Sequence, residues 1–136
     1  MTELTYLVRK RSDLDETQFL SACERYEAFL RASAIALGIK DICVQQKMNT
    51  ICQKCFAISR KLEEPAFDAQ IKMSWDTMDD YIDGAGSPTG IAAMDALVVE
   101  EKKFIDLGKS QAFFLDKEIK RTADNTAESG SQTISS

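Results

Sequence analysis

Between Phe67 and Trp75 apolar and polar residues alternate without a break: Phe67, Ala69, Ile71, Met73 and Trp75 on one side, Asp68, Gln70, Lys72 and Ser74 on the other. Successive side chains of a strand point to opposite faces, so this segment is a strand with one apolar and one polar face. Such a strand cannot stand alone. Its apolar face must be covered by helices or by another sheet, and the rest of the chain has to supply the cover.

Leu4 to Arg9 is rich in strand-favouring Thr, Tyr, Leu and Val and ends in the polar cluster Lys10-Arg11-Ser12-Asp13. Asp15 then stands at an N-cap position with Gln18 three residues on, flanked by Leu14 and Phe19, which predicts a capping box and a hydrophobic staple. The helix that follows carries Phe19, Cys23, Tyr26, Leu30, Ala34 and Leu37 at helical spacing and stops at Gly38. Ile39 to Met48 reads as a second strand, and Asn49 to Pro65, too long for a hairpin turn, repeats Ile51, Cys55, Ile58 and Leu62 as a short amphipathic helix would. After the third strand, Asp76 is expected to cap a brief helix over 77–82. Ser87-Pro88 opens another helix bearing Ile91, Met94, Leu97, Val98 and Phe104, and Gln111 to Leu115 forms the last strand.

The order βαββαβ is the split βαβ unit of an α+β, ferredoxin-like fold: a four-stranded antiparallel sheet with its helices on one face. The other face is left bare. An identical copy packed sheet to sheet is the expected cover, giving a homodimer. The segment 49–66, far longer than a connection requires, is expected to lie as a lid over the pocket between the first long helix and the sheet. Residues 1–120 read as one domain. From Thr122 the chain is almost wholly Ser, Thr, Ala, Asn, Glu and Gly, so 121–136 is expected to be a flexible polar tail.

Composition narrows the partners. The charged fraction of 29% and hydrophobic fraction of 44% are those of an ordinary globular protein. No apolar run approaches the length of a membrane span and the N-terminus has no leader-like pattern, so no membrane partner is expected. A net charge of -5 with scattered cations argues against nucleic acid. The cysteines Cys23, Cys43, Cys52 and Cys55 lie partly in apolar-periodic segments, as thiols of a reducing, cytoplasmic compartment do. With no histidine in the chain, carboxylates, lysines, tyrosines and thiols must carry any chemistry. Cys52 and Cys55 form a Cys-x-x-Cys pair, but no second pair completes a metal's ligand set, and neither a metal nor a cofactor is expected.

Several motifs resemble the EthD-like branch of the dimeric α+β barrels, and in particular its fungal members. Arg9-Lys10-Arg11-Ser12-Asp13-Leu14-Asp15-Glu16-Thr17-Gln18-Phe19 resembles the family's basic strand end, turn and Ser-Pro-Glu-Glu-Phe helix start. Phe67-Asp68 resembles the Tyr-Asp lead into its third strand, and Ser74-Trp75-Asp76 the aromatic exit from it. Lys103-Phe104-Ile105-Asp106 before Ser110-Gln111 resembles the lead into the fourth strand. The order and spacing of these pieces carry the resemblance over nearly the whole chain to about Lys120. It implies a dimeric barrel and the tailoring of aromatic polyketides in secondary metabolism without a bound metal or cofactor. The family's His-Ala-Pro triplet falls on Glu27-Ala28-Phe29, where only the alanine matches, and a second family histidine falls near Lys47 or Met48.

Candidate catalytic groups follow from both lines. Glu27 lies at the edge of the helix stripe, where partial burial would raise a carboxyl pKa, and it stands at the place of the family histidine. Its bland alternative is a solvated edge carboxylate. Tyr6 and Tyr81, with Tyr26, could aim phenols into a pocket and hold an enolate, or could pack with the hydroxyl at the surface. Lys47 is expected within reach of Glu27, and Asp68 is a candidate through the resemblance. Cys23, Tyr26, Leu30, Val8, Met73 and Trp75 are expected to line the substrate pocket. Together these features suggest a small cofactor-free enzyme acting by proton transfer on an aromatic or polyketide-like intermediate, through cyclisation, dehydration, decarboxylation or isomerisation. A non-catalytic small-molecule-binding protein on the same fold is the alternative.

Overall fold

The computed structural model describes residues 1–116; the expected polar tail lies outside them. In chain order the elements are β1 (Thr2–Val8), α1 (Glu16–Leu37), β2 (Asp41–Gln46), α2 (Ile51–Arg60), β3 (Ala69–Trp75), α3 (Met78–Gly86), α4 (Pro88–Glu101) and β4 (Gln111–Leu115), with a 3-10 turn at Leu107–Lys109. The strands form one antiparallel sheet in the order β2-β3-β1-β4, the ferredoxin-like topology.

Local chemistry sets the element ends. The Asp15 carboxylate accepts from the Gln18 N–H at 2.7 Å while the Gln18 side chain accepts from the Asp15 N–H at 2.9 Å, closing the capping box of α1. Gly38, at φ 69°, ends α1 in the left-handed region and donates its N–H back to Ala34 and Ile35. Thr77, and not Asp76, caps α3; Asp76 instead pairs with Lys40 at 2.7 Å. The brief helix expected to stop at Ile82 runs on through Gly84 to Gly86, and Gly84 permits it: a Cβ there would lie 2.1 Å from the Leu37 carbonyl oxygen, so α3 can approach the end of α1 only through a bare backbone. The second strand is shorter than the apolar run suggests, since Ile39 still donates to Ala34 in the helix stop.

The apolar stripe of β3 faces the helices. Ala69, Ile71, Met73 and Trp75 are buried, and the register sets Val8, Tyr6 and Leu4 of β1 on the same face. Trp75 is fully enclosed and donates its indole N–H to the Leu37 carbonyl at 2.9 Å. Phe104 closes the other end of the core against Phe19 and Tyr26, with ring centroids 5.9 and 5.5 Å away.

Among the described residues the opposite face of the sheet carries no helix. It is polar at its centre, with Gln70, Lys72 and Ser74 of β3 beside Glu3 and Thr5 of β1. Its apolar side chains are Leu7 of β1 and, on β4, Phe113 and Leu115, which are about half exposed. The bare face is thus mixed in character. The amphipathic helix α2 forms where expected but buries none of its residues, so it is not the snug cover over its own chain's pocket that its length suggested.

Candidate functional site

Two of the sequence's candidate tyrosines meet on one carboxylate. Tyr6 projects from the helix-facing side of β1 and donates to Glu101 at 2.9 Å; Tyr26, on the buried stripe of α1, donates to the other oxygen of the same carboxylate at 2.6 Å. Glu101 ends α4, seven residues after Met94 and four after Leu97, on the face that this helix turns to the core. One carboxylate therefore ties the central strand and the two long helices together. Burial, then the Glu101 charge, then its hydrogen bond hold both phenols well above the ordinary phenol range, so each stays a proton donor.

Beside this cluster a strip of the sheet is left without helix cover among the described residues, and we take it as the candidate cleft. α4 packs on α1 and α3, and neither α4 nor α1 packs extensively on β4. The helix-facing side chains of β4, Ala112 and Phe114, consequently stay exposed, and Leu4 and Tyr6 on the neighbouring strand are only partly covered. Tyr81 of α3 closes the far end, edge-on to Phe114 and to Trp75 with both centroid distances 4.9 Å. The strip thus brings aromatic and aliphatic side chains together with a polar group at one end, the combination small-molecule sites use.

The remaining candidates lie elsewhere. Glu27 pairs with Arg31 one helical turn on, at 2.8 and 3.0 Å, and keeps about a third of its side-chain surface exposed. The structure thus puts Glu101, and not Glu27, on the phenols. Lys47 donates to the Pro65 carbonyl and sits 5.9 Å over the Phe67 ring, at the far edge of the sheet from β4. Asp68 accepts from the Lys10 N–H at 2.8 Å and lies near the Arg9 guanidinium, clamping the end of β1 to the start of β3. Cys23, Leu30, Val8, Met73 and Trp75, with Tyr26, are buried among one another and form the core itself instead of a pocket wall. Burial pushes the Cys23 thiol up to about 11, which makes it a poor nucleophile. Cys52 and Cys55 are exposed on α2, and among the described residues no cluster of three metal-ligating side chains occurs.

No family model matches the chain, nor does any curated protein sequence. Solved structures do. An ethyl tert-butyl ether D (EthD) family protein from Bacillus halodurans superposes with a TM-score of 0.59 at 16% identity, over 87% of this chain and 99% of that one. A dimeric ferredoxin-like protein of unknown function from Bacteroides fragilis gives 0.55 at 14% identity, over 85% and 95%. The hydroxynitrile lyase of Passiflora edulis gives 0.51 at 10% identity, over 88% and 96%. At such identities the likeness is one of fold, and some proteins that share this fold are enzymes while others have no known function. Among the described residues no helix is long and apolar enough to cross a membrane.

Proposed function

We propose that the chain is a small cofactor-independent enzyme that moves a proton on an aromatic or polyketide-like substrate held in the cleft beside β4. The observation that carries the reading is the Glu101 carboxylate, held by two phenols at the polar end of an aromatic-lined cleft. A carboxylate so placed can take a proton from a carbon next to a carbonyl. The C–H electron pair then becomes the enolate, whose oxygen accepts a hydrogen bond from the Tyr6 hydroxyl as that hydroxyl leaves Glu101. Tyr6, only partly buried, is free to make that exchange; Tyr26, almost wholly enclosed, keeps Glu101 in place. Cyclisation, dehydration, decarboxylation and isomerisation of such substrates all include a step of this kind, and the secondary-metabolite tailoring implied by the EthD-like sequence features fits it.

The working unit of this reading is a homodimer with sheets face to face. The Thr5 hydroxyl, buried on the helix-free face, has no hydrogen-bond partner among the described residues, and a second sheet against that face would bring acceptors to it. The comparison structures described as dimeric have the same fold.

Deuterium exchange into aryl β-diketones, and loss of carbon dioxide from polyhydroxylated naphthoic acids, test the chemistry. Glu101→Gln should lower the rate of whichever reaction is found by about 100-fold or more while the fold persists. The second reading is a binding protein in which Glu101 is only a clasp between α1, α4 and β1, and the enclosure of Tyr26 favours it. Compounds that bind in the cleft but are turned over by neither protein would establish that reading.

A further inference from the structure

The partly covered residues of α2, Gln53 and Ala57, lie on one side of the helix, and its apolar stripe of Ile51, Cys55 and Ile58 lies on the opposite side at about 100° per residue. The stripe therefore points away from its own chain; Ile51 and Ile58 are each about three quarters exposed. Charge follows the same geometry. From Ile42 to Leu62 there is no acidic residue, while Lys47, Lys54, Arg60 and Lys61 are cationic, in a chain whose net charge is -5.

The counterpart surface is at the other end of the sheet. α2 follows the end of β2 that pairs with Ala69, whereas the start of β2 pairs with Ser74, next to Trp75. At that second end, α3 carries Asp79, Asp80 and Asp83 and no cation, with Met78 and Ile82 exposed. Ile35, in the last turns of α1, is 95% exposed, and a recess of about 210 Å³ opens between those turns and the start of β2, lined by Ala34, Ile39 and Ile42 together with the charged Arg31, Lys40 and Asp41. One end of the molecule thus offers a basic apolar helix, and the other the acidic helix α3 and a recess of mixed charge.

We propose that α2 docks on a second copy of this chain, its apolar stripe against Ile35 and the recess and its lysines facing the aspartates of the partner's α3. The proposal rests on the homodimer reading and fixes its geometry. Face-to-face stacking about a two-fold axis perpendicular to the strands turns one copy end for end, so that each basic end meets an acidic end and both contacts form at once. The opposite stacking would set the cationic helices against the basic end of the partner. Because α3 also carries Tyr81, the docked helix braces the cleft wall of the other copy.

Light scattering and sedimentation of the full chain at micromolar concentration test this with Ile58→Glu, Ile35→Glu, the charge-reversed pair Lys54→Glu with Lys61→Glu, and that pair combined with Asp79→Lys and Asp83→Lys. The wild-type chain should be a dimer. Each apolar-to-acid variant and the reversed pair should weaken the dimer 10-fold or more, and the combined variant should restore at least half of that loss. A dimer indifferent to all four variants overturns the α2 contact and leaves the sheet-to-sheet dimer standing. A monodisperse monomer overturns both. Flotation with phosphatidylserine vesicles adds the other candidate occupant: wild-type chain carried by the vesicles, with Ile58→Glu abolishing this while the dimer is unchanged, would assign the stripe to a lipid surface and refute the proposal.

Discussion

The Glu101 carboxylate with its two phenols makes a prediction independent of any substrate. Both Tyr6 and Tyr26 hold their protons more tightly in the folded chain than a free phenol, whose ordinary value is near 10. The unfolded chain releases these protons first. The stability they contribute is therefore complete below pH ~10 and lost above it, at up to ~1.4 kcal/mol per pH unit for each phenol. Urea midpoints measured between pH 8 and 11 should fall steeply at the alkaline end in the wild type and less steeply in the Tyr6→Phe, Tyr26→Phe double variant; equal slopes would contradict the assignment. The phenols were legible as candidates because few other groups could do acid-base work in a chain without histidine. Glu101 was not, since Glu100-Glu101-Lys102-Lys103 reads as a solvated helix end. Its signal was periodicity: Met94, Leu97 and Glu101 share a face, and a carboxylate in that pattern is placed with the core. Glu27 misled because it sits one position off its stripe, where Arg31 one turn on can reach it.

At the scale of elements, the close passage of α3 under α1 depends on one missing side chain. Gly84→Ala forces its methyl group onto the Leu37 carbonyl, and because backbone and not a flexible side chain is in the way, the helices must separate. That should cost ~1–3 kcal/mol, read as a lower urea midpoint with an unchanged slope. A variant as stable as the wild type would show that α3 is not held where it is described. Here the sequence reading fell short by one turn, because Gly84-Ala85-Gly86 looks like a stop and only the neighbouring helix shows why glycine is wanted. The amphipathic pattern of α2 was legible for a related reason and its placement was not. Periodicity shows that a face needs cover, and it does not say which surface provides it.

For the whole molecule, the sheet could be read almost completely. The alternation of β3 fixed which face is apolar, the capping box and Gly38 fixed α1, and the order of elements then left one topology with helices on a single face. The position of the cleft could not be read this way. It arises because α4 rests on α1 and α3 and leaves β4 uncovered, a matter of how layers meet and not of any segment's pattern. The expected pocket between α1 and the sheet is filled instead by Leu30, Phe19 and Ile71, packed as interiors are. Chemical-shift mapping with 2-naphthol, a small aromatic phenol, tests the central claim most directly. The account predicts saturable shifts at Tyr6, Tyr81, Ala112 and Phe114 and at the Glu101 side chain, with Arg31 and Lys47 unmoved. Saturable shifts confined to the Glu27 and Arg31 side of α1, or none in the β4 cleft at millimolar ligand, would contradict it.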